Sequence, residues 1–199
     1  MRSLDEIKAI FQNHQGILRT CELYTEHIYY ADIQKLIADG VIGKVRYGYY
    51  QLLDNMSLSE VTTVTRLFPD AILCMDTALF HYRYSDRTPL VWHLAVSKDG
   101  GKSRFKIDYP FVKPYYIEPA LLELGMAHDQ MDDYPVRIYN KERTICDCLR
   151  YMGKMDKEVF NTAIRRYAED NAKDIPRLME YAKKMRVTQK VKALIGVWI

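Results

Sequence analysis

The chain has 199 residues, 48% of them hydrophobic and 28% charged, which is enough for one core or for a small domain beside a medium one. This composition excludes an intrinsically disordered protein, and no apolar run reaches the ~18 residues of a transmembrane helix. Because the opening segment MRSLDEIKAIF is charged and periodic, it is not typical of a signal peptide, so we expect a cytoplasmic protein with no membrane partner.

The net charge of +3 is distributed unevenly. Residues 1–53 carry six Lys or Arg against six Asp or Glu, residues 54–140 nine against twelve, and residues 141–199 fourteen against eight. The four cysteines lack the paired spacing of a structural zinc site. We therefore expect free thiols, with no metal and no cofactor, and a basic excess at the C-terminal end.

The first elements are short and close together. Apolar residues at helical spacing over residues 4–11 predict a helix with Ser3 as its N-cap and Gly16 as its stop signal. A short helix over residues 21–26, with Thr20 as N-cap, and a third over residues 30–39 are predicted next. The segment VIGKVRYGYYQLL alternates and turns at Tyr47 and Gly48, which predicts a β-hairpin.

This order of three helices and a hairpin predicts a winged helix-turn-helix over residues 1–53 that binds duplex DNA. A glutamine on the outward face of the third helix can read an adenine edge, and cations beside tyrosines suit phosphates or the minor groove. The even charge balance keeps open an alternative, a winged helix used only for protein contacts. The residues predicted to contact DNA are Tyr29, Tyr30, Gln34 and Lys35 of the third helix, and Lys44, Arg46 and Tyr47 of the hairpin.

The remainder, residues 54–199, predicts a second domain of mixed α/β character that ends in helices, so the fold class is α+β. Residues 54–65 are predicted to be a connector that runs into a helix. FPDAILCMDTALFHY is predicted to be one helix capped by Asp70 and packed through Ile72, Leu73, Leu79 and Phe80. Buried strands are predicted at LVWHLAVS and YPVRIYN, and Asp132 and Asp133 are expected in a solvated turn.

Two features of the second domain carry competing interpretations. In KERTICDCLR, Thr144 is a candidate N-cap and Arg143 can pair with Asp147 across one helical turn, or the three residues form a functional surface. The basic tail helices favour either a solvated amphipathic face or an auxiliary nucleic-acid contact. The residues of that possible auxiliary surface are Arg165, Arg166, Lys183, Lys184 and Lys190.

We expect no enzymatic activity. The chain has no phosphate-binding glycine motif, and its five histidines are scattered. The alternative is a nucleic-acid enzyme recruited by the winged helix, for which Asp70 or Asp147 would be the carboxylates to test.

Four segments follow one another in an order that matches a known family. They are GILRTCELYTEHIYYADIQKLIADGVIGKVRYGYYQL, FPDAILCMDTALFHY, LVWHLAVS with YPVRIYNKERTICDCLRY, and DIPRLMEYAKKMRV. With these segments the chain resembles the AbiEi antitoxins of bacterial type IV toxin–antitoxin (abortive infection, phage-defence) systems over nearly its whole length. It departs from them in carrying Tyr29, Tyr30, Gln34 and Lys35 where the third helix is often arginine-rich.

The resemblance implies a non-enzymatic antitoxin that represses transcription of its own operon by binding inverted repeats in the promoter, with two copies on the DNA. It also implies a functional partner, a nucleotidyltransferase-like toxin, which the C-terminal domain counters without a stable complex. A protein-binding antitoxin that blocks the toxin directly is the alternative.

Overall fold

The computed structural model describes residues 2–53 and 58–196, which form ten α-helices and two β-sheets of three and five strands. The chain divides into two compact units. The N-terminal unit comprises Met1–Pro69 with Lys106–Pro110, and the C-terminal unit comprises Asp70–Phe105 with Phe111–Ile199. Residues 54–57 of the predicted connector and residues 197–199 lie outside the described residues. The chain is therefore a mixed α+β protein.

The N-terminal unit alternates short helices and strands. Its elements are α1 (Leu4–Asn13), β1 (Ile17–Arg19), α2 (Thr20–Thr25), α3 (Tyr30–Ala38), β2 (Ile42–Arg46), β3 (Tyr49–Leu52) and α4 (Glu60–Leu67). The strands form an antiparallel sheet in the order β1-β3-β2, with Leu18 opposite Tyr50 and Gly43 opposite Gln51. The helices bury Phe11, Leu23 and Ile33 against it.

Local signals explain most of these boundaries. The Ser3 hydroxyl accepts the Glu6 N–H at 3.2 Å and the Glu6 carboxylate accepts the Ser3 N–H at 2.7 Å, a capping box that starts α1. Gly16 ends it with a φ of 79°, which glycine adopts without strain. The N-cap of α2 lies one residue before the predicted position. Arg19 is the N-cap, its N–H donating to the Glu22 carboxylate at 2.7 Å, and Thr20 is already helical.

The first compact unit extends beyond the predicted end at residue 53, because side chains of α4 bond to the sheet. Arg66 donates to the Ile17 carbonyl at 2.8 Å and pairs with Glu22 at 3.0 Å. Segment Lys106–Pro110 joins the same unit through the Tyr109 hydroxyl, which donates to the Glu60 carboxylate. These long-range contacts leave no trace in local composition, so the sequence placed the boundary too early.

The C-terminal unit is built on a five-stranded mixed sheet in the order β6-β5-β4-β8-β7. Strands β4–β5 and β7–β8 pair antiparallel, and β4–β8 and β5–β6 pair parallel. The bounds are β4 (Ile72–Leu73), α5 (Met75–His81), β5 (Trp92–Ser97), β6 (Val112–Ile117), α6 (Pro119–Leu122), β7 (Met126–Met131), β8 (Tyr134–Tyr139), α7 (Lys141–Tyr151), α8 (Lys157–Glu169), α9 (Ile175–Lys184) and α10 (Thr188–Leu194).

Helix α7 lies at the centre of this unit, since every residue from Glu142 to Leu149 is buried. Phe160 of α8, Leu178 of α9 and Val191 of α10 belong to the same apolar cluster as Leu149. The predicted solvated turn is present between β7 and β8, where Asp132 and Asp133 have φ values of 49° and 64°. No helix in the described parts of the chain has both the length and the apolar character needed to cross a membrane.

The prediction of one helix through FPDAILCMDTALFHY was wrong in its first half. Ile72 and Leu73 form the central strand β4, and the helix begins only at Met75. A short buried apolar run fits a strand or a helix equally well, so periodicity alone did not distinguish them. Asp70 caps no helix but pairs with Arg104 at 2.6 Å, and Phe80 is 41% exposed rather than packed.

Candidate nucleic-acid interface

Helices α2 and α3 are joined by a tight turn. His27 in this turn has a φ of 56°, which turns the chain sharply after α2. Tyr29 is the N-cap of α3, and its N–H donates to the Asp32 carboxylate at 3.1 Å. This contact satisfies one of the backbone donors that a helix start leaves open.

Helix α3 has one buried and one exposed face. Ile33 and Leu36 pack into the core of the unit. Tyr30 is 67% exposed, and Gln34 and Lys35 are exposed as well. At 100° per residue these three side chains occupy an arc opposite the buried pair, so the structure brings together three of the predicted contact residues.

The tip of the β2–β3 hairpin also faces solvent. Tyr47 is 92% exposed, and Gly48 follows it with a φ of 76°. The Lys44 ammonium lies 5.7 Å from the centre of the Tyr47 ring. The carbonyl of Gly48 accepts the N–H of Thr20 at 2.9 Å, so the hairpin tip is attached to the start of α2. Lys44 and Tyr47 thus form an exposed cationic and aromatic tip.

Arg46 is placed differently from the prediction. Its guanidinium donates to the Leu67 carbonyl at 2.5 Å and lies 3.9 Å from the Tyr49 ring centre and 5.1 Å from that of Phe68. A register shift between Lys44 and Arg46 accompanies this difference in direction. Arg46 therefore contributes to packing within the N-terminal unit, and the hairpin tip presents one lysine instead of two cations.

Two further aromatic side chains adjoin the predicted set. The ring centres of Tyr24 and Tyr29 are 5.8 Å apart, and Nδ1 of His27 lies 3.3 Å from the Tyr29 hydroxyl. All three side chains are exposed. Tyr24 and His27 were not among the predicted contact residues, although the density of aromatic residues in YTEHIYY (residues 24–30) pointed to them.

Two acidic residues of this unit are engaged by its own cations. Glu22 pairs with Arg19 at 3.3 Å and with Arg66 at 3.0 Å, and Glu26 pairs with Arg2 at 3.4 Å. Burial raises the pKa of the Glu22 carboxyl, but the Arg19 N–H and the Arg66 charge outweigh burial and hold that pKa below its ordinary value. Between residues 41 and 53 the charged residues are all cationic. A balanced composition is thus compatible with a locally basic surface.

Three of the five residues of the possible auxiliary basic surface are bonded within the C-terminal unit. Arg166 pairs with Asp86 at 2.5 Å, Lys184 pairs with Glu180 at 2.7 Å, and Lys190 donates to the Leu149 carbonyl at 2.7 Å. Arg165 and Lys183 are exposed. The excess of positive charge in residues 141–199 is therefore not a measure of the cationic surface available to a polyanion.

The KERTICDCLR motif lies inside the protein. Arg143 is fully buried, and its Nε donates to Asp147 at 3.1 Å, as the spacing predicted. Its Nη1 donates to the carbonyls of Leu121 and Leu124, both at 2.6 Å. Burial raises the pKa of Asp147 to about 6, although Arg143 opposes it. Because these side chains are inaccessible, the alternative of a functional surface was wrong.

Thr144 is not the N-cap of α7. That position belongs to Asn140, whose side chain accepts the Arg143 N–H at 3.0 Å, and Thr144 lies within the helix and donates to the Tyr139 carbonyl at 3.2 Å. The cap was misassigned because Asn140 directly follows the preceding strand, and the sequence does not mark where that strand ends.

Among the described residues, no three His, Cys, Asp or Glu side chains form a group that could hold a metal ion.

Comparison with known proteins identifies a shared fold. No protein-family model matches the chain, and no curated protein matches it. Among solved structures it is similar to the crystal structure of the RV2827C protein from Mycobacterium tuberculosis, with a TM-score of 0.52 and 11% sequence identity. The match covers 96% of this chain and 79% of the other. At this level of identity the similarity concerns the fold alone.

Proposed function

We propose that the N-terminal unit is a winged helix-turn-helix that binds duplex DNA, with α3 in the major groove and the β2–β3 hairpin as the wing. The order α1-β1-α2-α3-β2-β3 and the strand order β1-β3-β2 support this assignment. A major groove is wide enough to admit one α-helix, and a helix can enter it only by a face that the protein leaves exposed.

The observation that carries the proposal is the exposed face of α3. Gln34 is suited to a bidentate contact with an adenine edge, whereas Lys35 and Tyr30 are suited to phosphates or thymine methyl groups. Lys44 and Tyr47 of the wing would follow the sugar-phosphate backbone or the minor groove. Arg46 has no part in this proposal, because its guanidinium is bonded to the Leu67 carbonyl.

We further propose that the chain is a non-enzymatic antitoxin and represses its own operon. This part rests on the resemblance of four sequence segments to AbiEi antitoxins. Two copies would occupy inverted repeats in the promoter, because a two-fold repeat in DNA matches two copies of one reading unit. The partner would be a nucleotidyltransferase-like toxin, which the C-terminal unit counters without a stable complex.

DNA binding is tested by fluorescence anisotropy on a duplex from upstream of the gene, over a series of salt concentrations. Lys44→Ala should reduce the slope of log affinity against log salt by ~0.9, the value for one lost phosphate contact. Lys184→Ala is the matched control, because that cation is already paired with Glu180 at 2.7 Å, and it should leave the slope unchanged. An unchanged slope for Lys44→Ala would remove the wing from the interface.

The adjacent residue Lys183 tests the auxiliary contact. It is exposed, so a reduced slope for Lys183→Ala beside an unchanged slope for Lys184→Ala would extend the interface to the C-terminal unit. Equal slopes for both variants would confine it to the N-terminal unit.

The antitoxin role is tested by co-expression with a nucleotidyltransferase encoded next to the gene. Growth should recover when the whole chain is present, and the two proteins should elute separately in gel filtration. Recovery together with a stable complex would favour the directly blocking antitoxin, and no recovery would remove the antitoxin role while leaving DNA binding in place.

A further inference from the structure

The C-terminal unit contains a cavity of about 360 Å³, within the range of small-molecule sites. Its walls combine an apolar side with a polar end. The apolar side chains are Pro89, Leu90, Val91 and Val159, and the polar groups include Asp76, Ser85 and His93. Leu90 lines the cavity and is 93% exposed, so its apolar side chain is accessible to a ligand.

His93 presents a hydrogen-bond donor at the polar end. Its side chain is buried, and Nδ1 accepts the backbone N–H of Asp76 at 3.3 Å, with the Tyr115 hydroxyl 3.5 Å away. Burial and the charge of Lys113 lower the pKa of His93 to about 4, so the ring is neutral near pH 7. Because Nδ1 is an acceptor, the single ring proton is on Nε2.

Asp76 presents an acceptor beside that donor. Its Oδ2 lies 4.0 Å from Nε2 of His93, beyond hydrogen-bond distance, and no described residue donates a hydrogen bond to this carboxylate. Burial raises the pKa of Asp76, as expected for a carboxylate that has lost part of its water. The preceding residue, Met75, is held at a φ of 47°, a strained conformation for a non-glycine residue.

From this donor and acceptor pair beside an apolar wall, we propose that the cavity binds an uncharged heterocycle with an exocyclic amine next to a ring acceptor, as in adenine, cytosine and their nucleosides. The amine donates to the carboxylate of Asp76, and the adjacent ring nitrogen accepts the Nε2 proton of His93. The face of the ring packs against Leu90 and Val91.

The charges around the cavity are of both signs. Arg87 lines the cavity and pairs with Asp156 at 3.3 Å and with Glu158 at 3.1 Å. The charge of Lys113 opposes the rise that burial causes in the pKa of Asp76, so a cation also acts on this carboxylate. All these groups belong to the C-terminal unit, so the inference does not depend on DNA binding by the N-terminal unit.

Titration calorimetry of the full chain with adenosine, cytidine, purine riboside and pyrimidin-2-one riboside tests the proposal. The last two compounds carry a hydrogen in place of the exocyclic amine and keep the adjacent ring nitrogen, so they leave Asp76 without a donor. Adenosine and cytidine should bind at least about tenfold more tightly than these two analogues.

Two variants localise the binding. Asp76→Ala should abolish the preference for the amine-bearing nucleosides, because it removes the acceptor of the amine hydrogen bond. Leu90→Ser should weaken adenosine binding without affecting folding, since the side chain is exposed. Lys184→Ala, on a surface helix, is the control and should bind as the wild type does. Thermal denaturation of each variant establishes that it is folded.

The proposal is wrong if no nucleoside binds, if the two analogues without the amine bind as tightly as the amine-bearing nucleosides, or if Leu90→Ser leaves the affinity for adenosine unchanged. Should Asp76→Ala fail to fold, the comparison of nucleosides with and without the amine and the Leu90→Ser variant decide the question.

Discussion

Two regions were predicted to contact nucleic acid: the exposed face of α3 with the hairpin tip, and the tail helices α8–α10. They differ in whether their polar side chains are exposed or bonded within the protein. Gln34, Lys35 and Lys44 project into solvent. In the tail, Arg166 and Lys190 are bonded to groups of their own unit. The number of cations in a segment therefore says little about the positive charge that the segment presents to a partner. That charge depends on the positions of neighbouring carboxylates and carbonyls, which can pair with the cations.

The largest effect is expected inside the C-terminal unit, from Arg143→Met. Removal of this buried cation leaves Asp147 as an uncompensated buried carboxylate, which should lower the free energy of unfolding by ~3–5 kcal/mol. Urea denaturation measures the loss. The double variant Arg143→Met with Asp147→Leu should lose less than the single variant, and a larger loss would mean that the ion pair is not the main contribution of Arg143.

The next effect is expected on DNA, from Gln34→Ala. If Gln34 reads an adenine, the variant should lose ~1–3 kcal/mol of discrimination between the operator and a duplex mutated at that base pair. Its free energy of unfolding should stay unchanged, because the side chain is exposed. Competition binding with the two duplexes measures the discrimination. A uniform loss of affinity on both would make Gln34 a backbone contact.

A third effect concerns Lys141, whose ammonium lies 2.7 Å from Asp170. Burial raises the pKa of Asp170, but hydrogen bonds from Lys141 and Tyr84 outweigh it and lower that pKa to about 2 from an ordinary value of 3.8. Because the folded pKa is below the unfolded one, the stabilisation is complete above pH 4 and is lost as the pH falls towards 2. The loss is on the order of 2 kcal/mol.

Urea denaturation midpoints between pH 5 and pH 2 check this prediction. Asp170→Asn should have lower stability at pH 5 and a flatter profile, whereas Asp132→Asn, in the exposed turn between β7 and β8, should keep the wild-type profile. A steep loss that persists in Asp170→Asn would assign the acid sensitivity to other carboxylates.

The smallest effect is expected from Lys190→Met. This variant keeps the apolar part of the side chain but removes the hydrogen bond to the Leu149 carbonyl, so the free energy of unfolding should fall by ~1 kcal/mol. DNA affinity should not change. A reduced salt slope for Lys190→Met would show that its ammonium contacts DNA despite this bond.

Much of the N-terminal unit was predictable from its sequence. Ser3, Gly16 and Gly48 act within a few residues of their own position, and the spacing of Ile33 and Leu36 sets the buried face of α3 wherever the helix lies. The exposure of Gln34 followed from the same periodicity, and that of Lys44 from the alternation of the hairpin strand. The i,i+4 pairing of Arg143 with Asp147 was also set by local spacing.

Long-range contacts decided the rest. Ile72 and Leu73 form a strand because β5 and β8 lie on either side of them, and the apolar run itself contains no information about those neighbours. Lys44 and Arg46 are both cations of strand β2, but it is Arg46 whose side chain reaches the Leu67 carbonyl. The sequence thus determined the local elements and their buried faces, since these depend on residues a few positions apart. Tertiary structure decided which charges remain exposed, because their partners come from distant parts of the chain.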